Sequence, residues 1–187
     1  MATIYDVGFI VGSLSEESIN RRLAAALGHV AGDRMRLTEI EIGDLPVYNR
    51  DLDDDLPGPA KRLKDQIEGA DAVLFITPEY NRSVPAALTN AIEWASRPFG
   101  ENSLTGKPTA VCGASPGAVG TAVAQQDLRS MLTYSDSPQL QAPEMYFQYT
   151  EGTIDEDGTI HDDGVRHVIS EFVDAFAQFL DEQRSSS

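Results

Sequence analysis

The 187-residue chain carries 30 acidic against 14 basic side chains, a formal net charge of −16, which excludes the basic surface that nucleic-acid binding requires. Its length fits one domain, 1–187, and no apolar run approaches the roughly 20 residues of a membrane-spanning helix, so neither nucleic acid nor membrane is an expected partner. A single cysteine, Cys112, excludes an internal disulfide framework and any Cys-pair metal or redox motif; with no basic leader before the first apolar run, a cytoplasmic location is expected.

Apolar runs and helical patterns then alternate along the chain. "IYDVGFIV" (4–11) predicts a first strand, and "INRRLAAALGHVA" (19–31) a helix with Leu23, Leu27 and Val30 on one face. "MRLTEIEI" (35–42) alternates as an edge strand does. A loop (43–59) leads to a helix over 60–70. "AVLFIT" (72–77) is the most apolar strand and belongs at the sheet centre. A helix over 85–96 carries Pro85 in its first turn. Strand four (108–114), a helix (120–134) and strand five (141–149) follow. An acidic turn region (151–164) precedes the amphipathic last helix (165–184). Five βα units with short connections predict an α/β fold, a doubly wound five-stranded parallel sheet. The flavodoxin-like strand order 2-1-3-4-5 is the natural arrangement, with ligands at the strands' carboxyl ends near the switch between strands one and three.

Three loops face that crevice. In "GSLSEESIN" (12–20), Ser13-x-x-Glu16 matches a helix capping box. The same stretch offers the hydroxyls of Ser13, Ser15 and Ser18 and the Asn20 amide to a phosphate. It matches neither G-x-x-x-x-G-K-[ST] nor G-x-G-x-x-G, and local pattern leaves both readings open. In "ITPEYNRSVPAALTNAIEWASRP" (76–98), Pro78-Glu79-Tyr80-Asn81 places main-chain groups where a flat heterocycle could lie, while Trp94 reads as a core or interface aromatic. In "CGASPGAVGT" (112–121), small side chains let the backbone approach a ligand closely, and Cys112 reads as a buried apolar residue. His29, His161 and His167 fall away from the crevice, on the surface. The acidic runs "DLDDDL" and "DEDGTIHDDG" lack the glycine and glutamate spacing of a calcium loop and read as solvated.

Together "GSLSEESIN", "TPEYNRSVPAALTNAIEW" and "KPTAVCGASPGAVGT" resemble the NADPH-dependent FMN reductase family, the flavodoxin-like quinone, azo and chromate reductases. The resemblance implies that Ser13, Ser18, Ile19 and Asn20 hold the FMN phosphate. It places Pro78, Glu79, Tyr80 and Asn81 on the isoalloxazine, and Ser115 and Gly117 at its other edge. It further implies NADPH or NADH as electron donor, a small-molecule acceptor and a homodimer or homotetramer, with the 43–59 loop and the Trp94 helix near the interface. The rival is a flavodoxin-like electron carrier, whose usual T-x-T-G-x-T loop is absent. One departure concerns the phosphate: the family commonly has Arg where Ser15 stands, and a basic or small residue where Glu16 stands. Weaker FMN retention is the expected consequence.

Overall fold

Residues 72–76 are buried at every position, as a strand covered on both faces by helices must be. The chain is described by a computed structural model over residues 4–186. Its five strands are β1 (Tyr5–Val11), β2 (Met35–Glu39), β3 (Ala72–Ile76), β4 (Thr109–Ser115) and β5 (Met145–Gln148). They form one all-parallel sheet in the order β2-β1-β3-β4-β5. The helices are α1 (Ile19–Ala31), α2 (Gly58–Gly69), α3 (Ala86–Ala95), α4 (Ala122–Tyr134) and α5 (Asp163–Ser186).

Alternation along β3 divides the interior in two. Leu74 and Ile76 join Leu23 and Leu27 of α1 and Phe172 and Phe176 of α5 in one core. Val73 and Phe75 join Leu63 of α2, Trp94 of α3 and Leu128 of α4 in the other. The pairs Val11↔Ile76 and Ile76↔Cys112 bring the carboxyl ends of β1, β3 and β4 level with one another. From β1 the chain runs outward to β2 and then back to β3. The crevice opens where that reversal leaves a gap.

Several boundaries differ from the sequence expectation. Strand β2 stops at Glu39, and Ile40 and Ile42 turn into the second core. Strand β5 starts at Met145, after Pro143, which has no N–H to give a ladder. Helix α5 starts at Asp163 because Asp162 Oδ1 accepts the Val165 N–H, 2.9 Å. Pro85 precedes α3 as its cap and is not part of its first turn. Trp94 is fully buried, and its Nε1 donates to Pro46 O, 2.7 Å. Val47, which follows Pro46 in the chain, and Phe99 are exposed, 85% and 87% accessible.

Gly113 shows how closely the strand ends approach. A Cβ there would lie 2.0 Å from Thr77 O and 2.5 Å from Thr121 Oγ1, whereas one at Gly69 in α2 would meet nothing within 4 Å. Gly113→Ala should lower the unfolding free energy by about 3 kcal/mol through overpacking, and Gly69→Ala should raise it by about 0.5–1 kcal/mol through helix propensity. Urea unfolding of both variants measures this. A Gly113→Ala protein as stable as the parent would contradict the contact.

Candidate functional site

The first loop begins where β1 ends. Gly12 donates to Ile76 O, 2.9 Å, and packs so closely on Pro78 and Leu88 that a Cβ would sit 3.1 Å from each. Ser13 is buried; its Oγ accepts the Ser15 N–H and lies 3.4 Å from the Tyr80 hydroxyl. The capping box over Ser13 and Glu16 does not form. The cap of α1 is Ser18, whose Oγ accepts the Asn20 N–H at 3.3 Å, and Glu16 lies exposed. Among the described residues, no hydrogen bond takes the N–H groups of Glu17 or Ile19. Asn20 lines the cleft and also reaches across to β4. Its Nδ2 donates to Ala114 O (3.0 Å) and its Oδ1 accepts the Ala114 N–H (2.8 Å), so the carboxamide braces α1 against β4.

The second loop turns sharply. Tyr80 N–H donates to Ser83 O (3.2 Å) and Ser83 N–H to Tyr80 O (3.0 Å). Between them Asn81 and Arg82 both have positive φ, 54° and 61°, the pattern of a type I′ turn. Asparagine suits the first central position; arginine stands where glycine is usual. Glu79 is held under this turn with its side chain 11% exposed. Its Oε2 accepts the N–H groups of Val123 (3.0 Å) and Ala124 (3.2 Å) at the start of α4. Thr121, which precedes α4 at φ 111°, gives no side-chain cap, because its Oγ1 accepts from Gln125 Nε2, 2.9 Å. Glu79 supplies the missing cap from another loop, and its charge suits the positive helix end.

These segments enclose a cleft of about 230 Å³. The first loop contributes Ser13, Ser15, Glu17, Ser18, Ile19 and Asn20, the second Pro78, Glu79 and Tyr80, and the third Ala114, Ser115 and Pro116. Asn81, at the turn tip, and Gly117, whose N–H donates to Ser115 Oγ at 3.1 Å, stand outside the lining. Sequence reasoning missed Glu17, Ala114 and Pro116. A signal for Glu17 existed, since a helix starting at residue 19 puts its cap at 18 and residue 17 at the loop's rim. Among the described residues, no basic side chain lines the cleft. Arg21 pairs with Glu39 at 2.6 Å, and Arg22 donates to the Tyr149 hydroxyl at 3.0 Å. Cys112 is inaccessible within β4, and burial pushes its thiol pKa up, so it offers no thiolate. The three histidines are exposed and outside the lining.

Residues 5–152 match the family model described as NADPH-dependent FMN reductase. The chain belongs to the NADPH-dependent FMN reductase family. A quinone reductase of Pseudomonas putida is 44% identical over 96% of this chain and 97% of its own. A 2-hydroxy-1,4-benzoquinone reductase of a Burkholderia species is 42% identical over 95% and 97% respectively. Among solved structures, the flavoenzyme NAD(P)H:(acceptor) oxidoreductase FerB of Paracoccus denitrificans superposes with a TM-score of 0.92, at 44% identity, covering 96% of this chain and 98% of that one.

The donor set fits the cofactor of this family in kind. Three serine hydroxyls and a helix N-terminus suit a phosphate, and the open strand ends suit a flat ring. At about 230 Å³ the cleft is smaller than the roughly 300–1,000 Å³ of enclosed ligand sites, so a large bound molecule keeps part of its surface exposed.

The capping role of Glu79 is open to measurement. Glu79→Ala should cost about 1–2 kcal/mol of stability, the range for losing a helix cap, and should speed hydrogen exchange at Val123 and Ala124. Glu79→Gln retains an acceptor oxygen and should lose less. Unchanged exchange at those two amides in Glu79→Ala would contradict the role.

Proposed function

We propose that residues 1–187 act as one FMN-binding domain and that the protein transfers electrons from NADPH or NADH to quinones or similar small acceptors. The observation that carries this reading is the meeting of three loops at one crevice of a chain 44% identical to a quinone reductase over nearly its whole length. Flavin, when bound, supplies the redox chemistry, accepting hydride from a nicotinamide and reducing the acceptor.

The protein's part is placement. Ser13, Ser15 and Ser18, with the free N–H groups of Glu17 and Ile19, offer hydrogen-bond donors to the phosphate. The main chain at Pro78–Tyr80 and at Ser115 borders the ring. Asn20 and Glu79 act indirectly, through Ala114 and α4, by fixing the loops that carry those donors. No side chain is assigned as acid or base. Openness of the cleft suits a cofactor that must meet two small molecules in turn.

Assembly as a homodimer or homotetramer belongs to the same proposal, as does a cytoplasmic location. Exposed Phe99 lines a pocket with Tyr48 and Arg97, and Val47, the chain neighbour of Tyr48, is exposed as well; exposed apolar groups of this kind favour an interaction surface.

Protein reconstituted with FMN should show flavin absorbance at one equivalent per chain. NADPH should bleach it anaerobically, and a quinone should then give steady turnover with no second protein. Flavin that binds but resists bleaching by either nicotinamide nucleotide would favour the electron-carrier reading. Light scattering should give a multiple of the 20.3 kDa chain mass, and Phe99→Ser should shift it downward. A monomer with FMN bound at moderate salt would remove the assembly part alone.

A further inference from the structure

Resting on the FMN assignment, we infer that this cleft holds flavin mainly by its ring and not by its phosphate. Riboflavin and FMN then bind with similar affinity, and FMN binds more tightly as ionic strength rises. A phosphate site built on cations behaves in the opposite way, because salt screens its attraction.

The charges near the phosphate loop decide the sign. Among the described residues the lining carries no Lys or Arg, and it includes two carboxylates, Glu17 and the Arg82-paired Glu79. Arg21 and Arg22, at the start of α1, are paired with Glu39 and with Tyr149 and Glu151, and Arg82 is paired with Glu79 of the lining itself. What remains attractive over distance is the N-terminus of α1, equivalent to about half a positive charge. Against it stands a full carboxylate charge at the rim, one residue before the cap, within a chain of net charge −16. An FMN phosphate carries about −1.5 to −2 at neutral pH. Charge for charge the carboxylate exceeds the helix end, and repulsion is the expected sign of the long-range field on the phosphate. Short hydrogen bonds from serine hydroxyls and free N–H groups hold the phosphate against that field, and salt leaves them in place while damping the repulsion. Riboflavin has no phosphate and senses neither effect.

The test is fluorescence titration of apoprotein with FMN and with riboflavin at about 10 mM and about 150 mM sodium chloride, where the Debye length falls from about 30 Å to about 8 Å. Riboflavin should bind within about tenfold of FMN, a difference of about 1.4 kcal/mol or less, with an affinity indifferent to salt. FMN affinity should rise severalfold with salt. Glu17→Gln should tighten FMN at low salt and flatten its salt response, without altering riboflavin. Glu16→Gln makes the same change in net charge outside the lining and should do less, which separates the rim carboxylate from the overall field. Ser15→Arg should tighten FMN about tenfold and reverse the slope. FMN that loosens with salt in the parent protein, or riboflavin that fails to bind where FMN binds tightly, overturns the inference and leaves the FMN assignment standing. Equal responses of the two glutamine variants overturn the role of Glu17. Failure of both flavins to bind overturns the assignment and the inference together.

Discussion

The site depends first on one side chain that completes a sheet. Strand β3 ends at Ile76, and the last bond it shares with β4 runs from the Thr77 N–H to Cys112 O. Two residues further along β4, the N–H and C=O of Ala114 point to the same side and have no strand beside them. Asn20 stands in that place, with one end of its carboxamide on each group. Because Asn20 is 1% accessible, removing it would leave two buried backbone groups unpaired, at about 1–3 kcal/mol each. The start of α1 is thereby tied to the third loop, although 94 residues separate the partners.

The other two edges of the site are braced in the same currency of buried polar contacts. Glu79 joins the second loop to α4, which begins at the end of the third loop. Gly12 against Pro78, with the Ser13 and Tyr80 hydroxyls above them, joins the first loop to the second. The three loops form a closed set of supports before any ligand arrives. Such preorganisation lowers the ordering cost of binding, which matters in a cleft that lacks charge-assisted contacts.

Cations are scarce in this chain, and helix ends claim several of them. Arg34 donates to Val30 O at the end of α1 (2.8 Å). Lys64 reaches Ala95 O at the end of α3 (3.3 Å), and Lys107 reaches Ala70 O beyond α2. Each sits at the negative end of a helix dipole, where a cation is favourable. Burial lowers the pKa of both lysines, and nearby carboxylates offset part of that shift. The positive charge therefore stabilises the far ends of the helices, while the cleft at the strands' carboxyl ends is left to hydroxyls, amides and an acidic rim.

The fold was legible because its signals are local. Run length and periodicity placed each strand and helix, and the order of apolar runs implied the sheet, since each depends on neighbours a few residues apart. The errors fall where distant partners decide. Ser13 and Glu16 have the spacing of a capping box, yet Ser13 is drawn into the Gly12–Tyr80 contact, and the cap passes to Ser18. For Trp94 the sequence leaves core and interface open; its side chain lies in the second core, and Pro46, 48 residues away, accepts its N–H. Asn20 and Glu79 fall within the loops that face the crevice, and both line the cleft. Their side chains also hold backbone, which no local pattern shows: Asn20 through Ala114, Glu79 through Val123 and Ala124. A motif fixes which residues stand at a site but not which of their atoms face the ligand. Here the Asn20 carboxamide and the Glu79 carboxylate are bound to the protein's own backbone, while main chain and small hydroxyls make up much of the remaining cleft lining.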